Sequence, residues 1–82
     1  MITEFISAAI KLAKIEKIKD EFPYYAEIPG FQGVWAQGKT MFECKKNLQE
    51  VLEEWLILKI RKGTFIPTTE KYDLNKLIAS VR

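Results

Sequence analysis

Histidine is absent from this chain of 82 residues, and cysteine occurs once. Without histidine the chain cannot supply a Ser-His-Asp triad, a Cys-His pair or a histidine metal ligand. One cysteine excludes an internal disulfide and any multi-cysteine metal site. An excess of charge is also missing: the net charge is +2, with acidic and basic residues interspersed. That balance is too weak to imply direct contact with nucleic acid or an anionic membrane. No apolar run has the length to cross a bilayer, and the opening MITEFISAAIKLAK lacks the charge order of a signal peptide. Cytoplasm is therefore the expected location. The length suits a single domain over residues 1–82 with one small core. With 48% hydrophobic residues in so short a chain, a homo-oligomer or a standing partner is expected.

What the sequence does have is one long amphipathic stretch, Thr40 to Gly63. Met41, Cys44, Leu48, Val51, Trp55 and Leu58 recur at steps of three and four, as along one face of an α-helix over 40–62. Phe42, Leu52, Leu56 and Ile60 widen that stripe. Thr40 with Glu43 three residues later fits a capping box. Gly63 suits the left-handed residue that ends a helix, and Lys59, Arg61 and Lys62 complement its negative end. Such a helix is roughly 35 Å long and needs a partner surface, because burial of the apolar face supplies most of its stability.

The preceding residues provide that surface. Ile2, Phe5, Ile6, Ala9 and Ala13 are spaced for one face of a short helix over 1–12, with the start of a longer strand as the alternative. From Ala13 to about Ile18 charged and apolar residues alternate, as in a strand with one wet face. Tyr24 to Ile28 reads as a second strand, with Tyr24, Ala26 and Ile28 on one side and Tyr25 and Glu27 on the other. PGFQG is a turn-rich connection, and Val34 to Gln37 a short third strand. The strands within 13–37 therefore form an antiparallel meander covered by the long helix. The expected fold class is α+β, a two-layer sandwich. In the tail, 64–82, Pro67 keeps Ile66 extended, and Asp73 precedes apolar spacing that suits a short capped helix, with a docked strand as the alternative.

Little in this pattern carries chemistry. Cys44 lies on the apolar stripe without a visible base, as a small core residue does. The carboxylates Glu16, Glu27, Glu43, Glu50, Glu53, Glu54 and Asp73 have no spacing that selects a two-metal site. No catalytic residue, metal site or cofactor is expected, and the chain is read as a non-enzyme. The more informative residues are Tyr25, Glu27, Trp35 and Gln37. If their neighbours face the helix, these four lie on the uncovered side of the sheet, where exposed aromatics suit a protein interface. The competing expectation is that the N-terminal helix or the tail covers them.

From Ala13 to Pro67 the order of residues resembles the HicB family of antitoxins. The similarity rests on YYAEIPGFQGVWAQGKT, with Tyr25, Glu27, Pro29, Gly33, Gly38 and Thr40 in place, on the long helix after it, and on Ile66-Pro67. The resemblance implies a partial ribonuclease-H-like domain without catalytic carboxylates. It also implies binding to a HicA-type toxin, a small ribonuclease that cleaves messenger RNA, and masking of its active site. A toxin-free homo-oligomer is the alternative. Fifteen residues follow Pro67, fewer than the C-terminal DNA-binding segment that many members carry, so operator binding is not expected.

Overall fold

The computed structural model describes residues 2–67. A helix α1 (Ile2–Lys11) leads into strands β1 (Lys14–Lys17), β2 (Tyr24–Glu27) and β3 (Trp35–Gly38), followed by the long helix α2 (Met41–Lys62). The strands form one antiparallel sheet in the order β1-β2-β3. The expected α+β two-layer sandwich is what the chain builds, and the opening residues form a helix rather than a longer strand. The expected C-terminal element beyond Pro67 lies outside the described residues.

Alternation decides which way each strand faces. Ala26, Ile28, Val34 and Ala36 are buried against the helices, while Glu27 and Trp35 point away. Both helices pack on the same side of the sheet: Phe5 and Ala9 of α1 join Cys44, Leu48, Leu52 and Leu56 of α2 in a single core. α2 lies mainly over β3, and α1 runs against α2. No described helix is long and apolar enough to cross a membrane.

The ends of α2 fall where the sequence indicates, and of the expected capping box the Thr40 half is formed. The Thr40 hydroxyl accepts from the Glu43 N–H at 3.0 Å, which satisfies one of the orphan donors of the first turn. Gly63 adopts φ 67° and ψ 26°, its N–H reaching the Ile60 carbonyl, while the Thr64 N–H bonds the Lys59 carbonyl at 3.1 Å. This pair of bonds is a Schellman termination. The buried face is narrower than the expected stripe. Its centre is the row Cys44, Leu48, Leu52 and Leu56, with Val51, Trp55 and Ile60 partly buried beside it. Met41 and Leu58, expected in the stripe, are about half exposed, and Phe42 is 79% exposed.

The β2–β3 connection is built from two consecutive turns, with the Phe31 N–H bonded to the Ile28 carbonyl and the Val34 N–H to the Phe31 carbonyl. Gly30 and Gly33 occupy the left-handed positions at φ 84° and 86°, which side chains disfavour. Between them Phe31 turns inward and is buried. Gly38 has a different reason to be glycine. A Cβ there would stand 2.5 Å from the Cys44 backbone nitrogen, so the strand approaches the first turn of α2 too closely for any side chain.

Candidate functional site

The sheet face turned away from the helices is a small grid fixed by the register. Lys14, Glu27 and Trp35 lie abreast in one row, and Glu16, Tyr25 and Gln37 in the next. Strand alternation puts all six side chains on this side. Both helices pack on the opposite side, so α1 does not cover the grid; the tail, the other candidate for covering it, lies outside the described residues.

Tyr25 and Trp35 sit diagonally on neighbouring strands, and their rings stack at 5.9 Å between centroids with 25° between planes. Trp35 remains 49% exposed. The Tyr25 hydroxyl donates to Glu27 Oε2 at 3.3 Å. Desolvation of the phenol, followed by the charge and hydrogen bond of Glu27 and the charge of Glu16, raises the Tyr25 pKa above the ordinary tyrosine value. The pair is therefore a neutral, flat aromatic platform beside carboxylates. Next to it the β2–β3 loop frames an open depression of about 540 Å³, bordered by Lys14, Glu27, Pro29, Gln32 and Trp35.

Gln37 shares the face but has another task. Its amide nitrogen donates to Asp20 Oδ2 at 3.0 Å and to the Phe22 carbonyl at 3.2 Å. Asp20 Oδ2 also accepts from the Phe22 N–H at 3.1 Å. Gln37 thus clamps the β1–β2 turn, and the Asn47 side-chain amide bonds the Gln37 carbonyl at 2.9 Å. Of the four residues singled out in the sequence, Tyr25, Glu27 and Trp35 come together as a surface, while Gln37 braces it. Sequence reasoning misses Lys14 and Glu16 as part of this face, although the same alternation places them there.

The remaining candidates resolve into structure. Cys44 is buried, its thiol donates to the Ala36 carbonyl at 3.7 Å, and desolvation raises its pKa, which disfavours the thiolate a nucleophile requires. Among the described residues no three or more His, Cys, Asp or Glu side chains are grouped to hold a metal ion. The arrangement offers a surface for contact: stacked rings, carboxylates and a shallow hollow.

A family model described as UPF0150-like matches residues 4–67. The protein TTHA0281 of Thermus thermophilus, known from a crystal structure, is similar at 42% identity and a TM-score of 0.83, over 88% of this chain and 89% of that one. No curated protein matches the chain.

Proposed function

This chain belongs to the UPF0150-like family, and from that membership and the open aromatic face we propose that it is an antitoxin-type binding protein of the HicB kind, or a solitary relative. It acts without catalysis, covering the active site of a HicA-type messenger-RNA-cleaving toxin by protein–protein contact. The partial ribonuclease-H-like scaffold belongs to the same reading. One observation carries the proposal: the Tyr25–Trp35 stack lies outward on a sheet whose two helices occupy the other side. Rigid aromatic side chains of this kind dominate the energetics of interface centres.

Size defines how the partner must sit. Three strands of four residues present a face of about 14 by 13 Å at ordinary strand spacing and rise, or roughly 190 Å². A stable interface takes about 800 Å² from each partner. The toxin therefore extends past the sheet onto the β2–β3 loop, with a side chain in the hollow beside Trp35. The test is co-expression with a small basic HicA-type neighbour. The expected result is a complex that co-purifies and restores growth, weakened at least about 30-fold by Trp35→Ala, the loss of a hot-spot residue. Thermal unfolding of the variant alone should be little changed. Growth arrest without complex formation, or a Trp35→Ala protein that binds as well as the parent, would overturn the proposal.

A further inference from the structure

β1 is an edge strand, and among the described elements it contacts β2 alone. Its hydrogen-bonding phase follows from the pairing. The Ile18 N–H bonds the Pro23 carbonyl at 2.7 Å, so in this register Glu16 and Lys14 form the bonded pairs with Tyr25 and Glu27. The backbone N–H and C=O groups of Ile15 and Lys17 must then point outward from the sheet. No hydrogen bond from the rest of the described chain engages them. An edge of this kind is a template for another strand.

We propose that a second copy of this chain occupies it, β1 against β1, forming a continuous six-stranded antiparallel sheet. Continuity of the two faces requires odd residues opposite odd and even opposite even. Four registers satisfy that rule within the strand. Centring the two-fold on residue 14 opposes Lys14 to Lys14 of the second copy. Centring it on 16 opposes Glu16 to Glu16, and centring on 17 opposes the two Lys17 side chains. Only a two-fold at Ile15 pairs opposite charges, setting Lys14 of each copy against Glu16 of the other. The two Ile15 residues then exchange both backbone hydrogen bonds, and each Lys17 N–H faces the Ala13 carbonyl of the other copy.

That contact is isologous, as a two-fold demands. It also explains the composition of the edge. Lysine on an exposed strand ordinarily blocks pairing, but here Lys14 and Glu16 each disfavour the register centred on themselves, Lys17 disfavours its own, and the Ile15 register sets Lys14 against Glu16. Half-exposed Leu12, just before the strand, comes near Ile18 of the second copy at each end of the contact. The two outward faces then lie on one side of the joined sheet, doubling the area that carries Tyr25 and Trp35. Such a dimer needs no toxin partner to form.

Sedimentation equilibrium of the full chain across micromolar to sub-millimolar concentrations tests it. A dimer is expected, weakened about tenfold or more by Glu16→Lys, which sets like charges opposite each other twice. The double exchange Lys14→Glu with Glu16→Lys should restore it. As an independent readout of register, a Lys14→Cys chain mixed with a Glu16→Cys chain should form a disulfide-linked dimer on oxidation, whereas neither should cross-link alone. A monomer at every concentration, as when residues 68–82 take the edge themselves, would overturn the proposal. So would a dimer that ignores Glu16→Lys, which places the contact on another surface, or a failure of the double exchange to restore it.

Discussion

Tyr25 joins the scaffold to the surface: its backbone belongs to the central strand, and its ring lies against Trp35. Burial of the phenol first, then Glu27 and Glu16, raises its pKa. The folded protein therefore holds this proton more tightly than the unfolded chain does. The resulting stabilisation is present below the ordinary tyrosine pKa of about 10 and is lost as pH rises through the folded value. An absorbance titration of the parent minus that of Tyr25→Phe should show ionisation displaced upward. Glu27→Gln should bring it part of the way back, because the desolvation remains when the charge is gone. If Glu27→Gln leaves the titration unmoved, the hydrogen bond between the two side chains does not exist in solution. The same scale shows why a glycine cannot be interpreted from its neighbours in sequence alone. Gly30 and Gly33 answer to backbone conformation, but Gly38 answers to an atom six residues away on another element.

Helix α2 shows what periodicity can and cannot specify. Its ends were legible because caps are local: Thr40 with Glu43, and Gly63 after three basic residues, each act within one turn. Its rotation was not. Residues 55–58, Trp-Leu-Ile-Leu, are apolar without a break, so several phases of the helix fit equally well. The fold selects the row at intervals of four, Cys44 to Leu56. Such a row drifts around a helix of 3.6 residues per turn and slants across the surface it covers. Leu52→Ala should therefore cost about 2–5 kcal/mol, as for a fully enclosed leucine. Phe42→Ala and Leu58→Ala should each stay within about 0.5 kcal/mol, the usual range for surface sites. Urea unfolding of the three variants tests the rotation directly, and a large loss at Leu58 would return the stripe to its expected phase. The candidate face was more legible than this helix because strand alternation has only two phases, and burial of Ala26 and Ala36 chooses between them. The clamp by Gln37 was not legible, since its partners lie 15 and 17 residues away and meet it only after the turn closes.

At the scale of the whole molecule, a short chain must make its pieces share one core, and an aromatic relay does so here. Phe31, in a loop whose turn residues conceal it in the sequence, lies 6.1 Å from the Phe5 ring of α1 and 5.3 Å from the Trp55 ring of α2. The Trp55 indole N–H donates to the Gln32 carbonyl at 3.2 Å, fixing the loop to the long helix. The backbone of α1 approaches α2 and not the strands, so the Phe5–Phe31 contact ties the first helix to the β2–β3 connection. Trp55 is only partly buried, so Trp55→Ala should cost about 2–3 kcal/mol, below the range for an enclosed tryptophan. Phe5 and Phe31 are both enclosed, and each change to alanine should cost about 3–5 kcal/mol. A double-mutant cycle between them should return a coupling of about 0.5–1.5 kcal/mol, as for aromatic pairs in contact. Far-ultraviolet circular dichroism and tryptophan fluorescence should follow the same urea transition, because α1 has no separate core to retain. Additive losses, or an early far-ultraviolet change that leaves fluorescence untouched, would mean that α1 folds and unfolds apart from the sheet, and the relay would then hold nothing together.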